Sequence, residues 1–237
     1  MTIKCWAVVP ATGVGKRMGR AIPKQYLPLK GGLVIHHTLR VLLDHPQIVG
    51  VVAGVSAADQ QWQAEADAIG NPRLVTVVGG VERCHTVRNA LAHLETLGAE
   101  GDWALVHDAA RPCLRAADIT RLIARVEAGN EIDGAILGVP VRDTMKQVDA
   151  NGYISHTVPR DALWHALTPQ LYPVRRLREA IDSALEQHHV VTDEASAMEI
   201  CGANTHIVEG HSDNLKITHP ADLALAELIL EAQSRSL

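Results

Sequence analysis

Cys5-Trp6-Ala7-Val8-Val9-Pro10 runs directly into Ala11-Thr12-Gly13-Val14-Gly15-Lys16-Arg17-Met18, and Pro23-Lys24-Gln25-Tyr26 follows. A short apolar run that stops at a proline and feeds a glycine-rich loop reads as a first strand with its turn, not as a secretory signal. Small residues in such a turn let backbone N–H groups approach phosphate oxygens closely, and Lys16, Arg17 and Lys24 bring cations to the same place. The loop is not a dinucleotide fingerprint, because the third glycine is missing at the expected offset. It is not a Walker loop either, because the G-K-[ST] ending is absent. What sets it apart is the basic pair Arg17 and Lys24 around Gly19; the bland alternative is a surface turn with solvated lysines.

Outward from that strand, Ile48 to Val55, Leu74 to Val78, Trp103 to His107 and Ala135 to Val139 also read as strands. Leu33 to Leu43, Asp59 to Ile69, Glu82 to Leu97 and Asp118 to Val126 read as amphipathic helices between them. Strands alternating with crossover-length helices make an α/β chain with a mainly parallel sheet. In such open sheets ligands bind beyond the carboxyl ends of the strands, so the loops after Pro10, Val78 and His107 are the places to look.

The rhythm breaks between Pro140 and Arg160, where Asp149, Asn151 and Gly152 supply a turn between two short alternating segments; this predicts a projecting β-hairpin arm. Helices are expected over Val174 to Gln187 and Asp193 to Cys201, then a strand pair at His206 to Val208 and Leu215 to Thr218, and a last helix with Pro220 in its first turn. No linker, repeat or low-complexity segment divides the chain, so residues 1–237 read as one domain, with 140–160 as an arm.

The 237 residues suffice to bury a sizeable core. They contain no uninterrupted apolar run of about eighteen residues or more, which argues against a membrane span and for a cytoplasmic protein. Cys5, Cys84, Cys113 and Cys201 lack metal-site or disulfide spacing and read as free thiols. A net charge of −5 argues against broad nucleic-acid binding. Only 3% of residues are aromatic and none is Phe, which argues against a base held mainly by stacking.

The second chemistry-bearing segment is Val106-His107-Asp108-Ala109-Ala110-Arg111-Pro112. A carboxylate directly after a strand, at the ligand edge, can hold Mg²⁺ together with substrate phosphates. The structural alternatives for Asp108 are a cap on the helix beginning near Ala116 or an ion pair with Arg111. His107 reads as a satisfied strand-end histidine, and no G-x-S-x-G elbow supports a hydrolase.

These two segments, with Pro140-Val141-Arg142-Asp143-Thr144-Met145-Lys146, Leu163-Trp164-His165-Ala166-Leu167-Thr168-Pro169-Gln170, Thr192-Asp193-Glu194-Ala195-Ser196 and Asp213-Asn214-Leu215-Lys216, resemble the 2-C-methyl-D-erythritol 4-phosphate cytidylyltransferases of the non-mevalonate isoprenoid pathway. The resemblance spans nearly the whole chain and implies a single Rossmann-like nucleotidyltransferase domain that joins CTP to methylerythritol phosphate and releases pyrophosphate. It implies that Arg17 and Lys24 stabilise the transition state, where negative charge crowds around the α-phosphorus. It implies that Arg160 and Lys216 position the acceptor phosphate, with Thr144, Thr168 and Thr192 as hydroxyl partners in that pocket. For the nucleotide it points to Pro10, Ala11, Thr12, Gly13, Gly15, Gly80, Thr86, Asp108 and Ala109. It implies Mg²⁺ as cofactor, with Asp108 as the best protein partner and Asp213 a weaker one, and a homodimer built through the arm.

No general base is required, because a phosphate monoester near neutral pH is already largely dianionic. The sequence departs from the family pattern at three positions: Thr12 replaces a usual alanine, Val81 stands where an acidic residue often follows Gly79-Gly80, and Thr86 replaces a usual serine. Thr86 keeps the hydroxyl, whereas Val81 offers the base no side-chain hydrogen bond. The rival readings are another nucleotidyl or glycosyl transferase on the same sheet, a regulatory module without turnover, and a nicotinamide dehydrogenase.

Overall fold

The computed structural model of the chain describes residues 2–13, 22–129 and 131–235. The strands are β1 (Cys5–Pro10), β2 (Pro28–Leu29), β3 (Gly32–Leu33), β4 (Ile48–Val55), β5 (Leu74–Val78), β6 (Trp103–Val106), β7 (Gly134–Pro140), β8 (Met145–Val148), β9 (Ile154–Val158), β10 (Trp164–Pro173) and β11 (Thr205–Glu209). The helices are α1 (Val34–Leu43), α2 (Trp62–Ile69), α3 (Arg83–Thr96), α4 (Ala116–Ala128), α5 (Val174–Glu186), α6 (Glu194–Ile200) and α7 (Pro220–Arg235).

Seven strands form the central sheet in the order β11-β7-β10-β6-β1-β4-β5. Its side chains obey the two-residue period of a strand. Cys5, Ala7 and Val9 of β1 and Val51, Ala53 and Val55 of β4 enter one core with Leu39 and Leu42 of α1 and Ile119, Leu122 and Ile123 of α4. Val8 and Val52 enter the other, with Val87 and Leu91 of α3 and Leu177 and Ile181 of α5. A sheet covered on both faces is the consequence, and it explains why these strands are continuous apolar runs. A third cluster of Leu27, Leu29, Val34, Cys113, Ile217 and Ala226 seats α7. Among the described residues, no helix is long and apolar enough to cross a membrane.

Two differences from the sequence expectation bear on the site. β10 was not anticipated, yet it lies in the middle of the sheet, antiparallel to both β6 and β7. Its two prolines, Pro169 and Pro173, hide it, because proline cannot donate to a ladder. Its pairing with β7 breaks between Ala166 and Gln170, and Thr168 lies within that irregularity. The segment Leu215 to Thr218, expected as a strand, crosses the loop after β6 instead, anchored where the Ile217 N–H donates to the Ala110 carbonyl at 2.8 Å.

The expected hairpin is present as β8 and β9, which pair only with each other. Asp149 Oδ1 accepts from the N–H groups of Asn151 and Tyr153, and Gly152 takes φ +86°, a left-handed conformation that glycine adopts without strain. Val148, Tyr153 and Ile154 are 53%, 73% and 64% exposed, so the arm leaves most of its apolar surface in water.

Candidate active site

The carboxyl ends of β1 and β6 open into a cavity of about 340 Å³ lined by Pro10, Ala11, Thr12, Gly13, Lys24, Asp108, Ala109 and Lys216, together with Gln25, Val81, Arg83 and Ala110. The first seven were expected beside the nucleotide, whereas Lys216 was expected at the acceptor phosphate. Gly15 and Arg17 lie outside the described residues.

The floor of this cavity is fixed by hydrogen bonds from buried groups. The Ala11 N–H donates to the Gly54 carbonyl at 2.7 Å, and buried Gln25 donates through Nε2 to the Ala11 carbonyl at 3.0 Å. Thr86 is fully buried on α3; its Oγ1 accepts from the Gly80 N–H at 3.1 Å, lies 3.1 Å from Thr12 Oγ1 and donates to the Glu82 carbonyl at 3.1 Å. A Cβ on Gly79 would stand 2.2 Å from Thr12 Cγ2, so the loop after β5 passes this wall only because it begins with glycine. The two family departures Thr12 and Thr86 therefore touch one another. Val81, 97% exposed, presents only methyl groups at the cavity mouth.

A second cavity of about 200 Å³ adjoins the first and is lined by Arg111, Leu167, Thr168, Gln170, Thr192 and Asp193 among others. Arg83, Asp108 and Lys216 line both. Several long-range contacts position this pocket. Gln170 of β10 donates to Asp193 Oδ2 at 2.9 Å and accepts from the Ala195 N–H at 2.8 Å, which clamps the start of α6. Asp193 is that helix's N-cap, accepting from the Ser196 N–H at 2.9 Å, so Thr192 is held just ahead of it. Lys216 is carried by a segment in which Asn214 donates to the Thr168 carbonyl at 2.7 Å and accepts from Arg111 Nη1 at 2.8 Å through its own carbonyl.

Asp108 is the hub. Its Oδ1 receives Arg83 Nε at 3.0 Å, while Oδ2 receives Lys216 Nζ at 2.8 Å and Arg111 Nε at 3.3 Å. Burial opposes the carboxylate, but the charges of Arg83, Lys216 and Arg111 outweigh it and hold Asp108 well below the usual carboxylate range. The structural alternative of an Asp108–Arg111 pair is thus also true, whereas the cap on α4 falls to Arg115. His107 is fully buried, with Nε2 3.1 Å from the Arg111 carbonyl and Nδ1 3.0 Å from Thr168 Oγ1. Burial pushes it down to about 4, so it is neutral at pH 7, a structural histidine.

Not every expected residue converges. Thr144 and Arg160 are exposed on or beside the arm and line neither cavity; the Arg160 guanidinium donates to the Arg142 carbonyl. Asp213 lines neither cavity and accepts from Arg115 Nη2 at 2.6 Å. Lys24 lines the first cavity with Nζ 3.4 Å from the Ile217 carbonyl. Sequence reasoning missed Arg83, although a basic residue opening the helix after Gly79-Gly80, at the ligand edge, is a signal that points to it.

Fixed cations facing a nucleotide-sized cavity, with an adjoining polar cavity for a second anion, are the equipment of a nucleotidyltransferase. The comparison with known proteins carries the assignment further. A family model described as 2-C-methyl-D-erythritol 4-phosphate cytidylyltransferase matches residues 5–232, and the chain belongs to that family. A relative of that name from Photorhabdus laumondii is 49% identical over 94% of this chain and 93% of its own length. Another from Aeromonas hydrophila is 50% identical over 96% and 90% of the two chains. Among solved structures, one described as 4-diphosphocytidyl-2C-methyl-D-erythritol synthase matches with TM-score 0.80 at 38% identity, over 96% of this chain and 99% of that one. The Francisella tularensis cytidylyltransferase matches with TM-score 0.80 at 33% identity, over 95% and 99%.

Proposed function

We propose that the protein transfers the cytidylyl group of CTP to 2-C-methyl-D-erythritol 4-phosphate, giving 4-diphosphocytidyl-2-C-methyl-D-erythritol and pyrophosphate, in the cytoplasm. The observation that carries this reading is the pair of adjoining cavities with Asp108 and Lys216 in their shared wall. One holds the nucleotide beside the small-residue turn; the other receives a phosphorylated acceptor beside Thr168 and Thr192.

An oxygen of the acceptor phosphate attacks the α-phosphorus; the new P–O bond forms as the bond to the β-phosphate oxygen breaks, and its electron pair leaves with pyrophosphate. Both reactants are anions, so the barrier is lowered by fixed cations and by holding the reacting atoms together. Lys24, with Arg17, serves the α-phosphate. Lys216, 37% exposed at its side chain and resting on Asp108, is placed to exchange that carboxylate for the acceptor phosphate. No residue needs to remove a proton.

The donor set fits Mg²⁺ shared with the nucleotide rather than caged by protein. Asp108 is the carboxylate lining both cavities, and its oxygens already serve three cations. Bound there, the ion would supply charge neutralisation for the departing pyrophosphate.

We also propose that the arm docks on a second copy. A two-stranded hairpin is marginal in water alone, and exposed Val148, Tyr153 and Ile154 give it an apolar surface to bury. Docking would bring Thr144 and Arg160 to the partner's acceptor cavity. Pyrophosphate release with CTP, ATP and GTP, each with methylerythritol phosphate and Mg²⁺, tests the assignment: CTP turns over well and the purines poorly. Equal turnover with ATP rejects the cytidine reading.

A further inference from the structure

The geometry points to Arg83 as a positioning residue for this reaction: its guanidinium ties the nucleotide-side helix α3 to Asp108 and to the acceptor-side helix α6, and so sets the separation of the two cavities. The inference rests on the proposed cytidylyl transfer. Arg83 is the first residue of α3, the helix that follows the Gly79-Gly80 loop, and Thr86 of the same turn fastens Gly80. Its Nε donates to Asp108 Oδ1 at 3.0 Å, while Nη1 and Nη2 donate to the two carboxylate oxygens of Glu194 at 2.7 and 3.0 Å.

Glu194 is 1% exposed and opens α6, directly after Thr192 and the N-cap Asp193 of the acceptor cavity. One planar group therefore joins α3, the loop after β6 and α6. Its contact with Oδ1 leaves Oδ2 of Asp108 turned to Lys216 and Arg111. Lysine keeps the charge but lacks the fork, and cannot serve both carboxylates in this geometry.

Arg83 lines both cavities with 28% of its side chain exposed, so its position is felt by both substrates. Misplacing the wall shifts Lys216 and Thr192 relative to the α-phosphate, and small misplacements of that kind depress turnover strongly.

Three variants separate positioning from simple stabilisation. Arg83→Lys should lower kcat about tenfold or more and raise the acceptor KM, with the CTP KM changed less than about twofold. Arg83→Met alone leaves Glu194 buried without a partner and should lower Tm markedly. Arg83→Met with Glu194→Gln removes both charges, so Tm should recover most of the way while kcat and the acceptor KM stay impaired. Full recovery of kcat and acceptor KM in that double variant would show that Arg83 only stabilises the fold and would overturn the inference. A rise in the CTP KM alone in Arg83→Lys would overturn it too, making Arg83 a nucleotide anchor. Wild-type turnover is the control for the reaction itself. Calorimetric binding then tests Arg83 independently of turnover: Arg83→Lys should weaken acceptor binding and spare CTP binding, and equal weakening of both counts against the inference.

Discussion

The cleft after β1 and β6 and the arm of β8 and β9 carry residues for one proposed reaction, yet they are held in opposite ways. Around Asp108 the charged groups find their partners within the chain: Thr168 receives the Asp108 N–H, and Arg83, Arg111 and Lys216 share its carboxylate. On the arm, Thr144 and Arg160 face water and the strands pair only with one another. Charge-transfer chemistry gains from dipoles and cations fixed before substrate arrives. The cleft meets that condition within one chain; the arm meets it only when something covers it.

The largest effect sharpens the cleft side of this contrast. Lys24→Ala should depress kcat by about 10²-fold or more, and by more than it raises the CTP KM, because a fixed cation at the α-phosphate acts chiefly on the transition state. Steady-state kinetics reads this directly. A rise in KM alone would make Lys24 a ground-state anchor.

How far the sequence revealed these two regions follows from the range of the interactions. β1, β4 and β6 were legible because burial on both faces writes a continuous apolar run into each. The start of α6 next to Asp193 and the arm's turn at Asp149 to Gly152 are local and were legible too. β10 was not, since Pro169 and Pro173 mask a strand whose place is set by pairing with β6 and β7. Arg83 went unread because its meaning lies in Glu194, 111 residues further along the chain. Arg160 and Thr144 were legible only through the family resemblance, as neither lines the two cavities of its own chain. Asp108 was found at the strand end, but its three cations come from α3, the following loop and the segment before α7.

A second prediction tests how tightly the cleft is built. His107 is buried and neutral, with its folded pKa depressed from 6.5 to about 4. The unfolded chain takes up a proton near pH 6.5 that the folded chain refuses until about pH 4. Stability is therefore intact above pH 6.5 and lost as pH falls from there towards 4, by up to ~3 kcal/mol. Asp108, also depressed, adds a loss at still lower pH, below the usual carboxylate range. Denaturant unfolding between pH 7 and 4 measures the slope, and His107→Asn should flatten it. An unchanged slope in that variant would mean that other groups carry the dependence.

The smallest effect lies at the cleft's mouth. Val81 is 97% exposed and lines the nucleotide cavity, so Val81→Asp should leave stability within about 0.5 kcal/mol. It should lower the CTP KM a few-fold by offering cytosine's amino group an acceptor. An unchanged CTP KM would place base selection wholly on the backbone of the Thr12 and Gly80 walls.

The central claim, that the arm completes a neighbour's site, is tested most directly by mixing Lys24→Ala and Arg160→Ala proteins, each nearly inactive, and refolding them together. Arg160 acting across the interface gives each heterodimer one site with Lys24 intact and the partner's Arg160 intact. Random pairing then restores about a quarter of wild-type activity. If Arg160 acts within its own chain, every site keeps one lesion, and a mixture shown to contain heterodimers but remaining inactive would contradict the shared-site account.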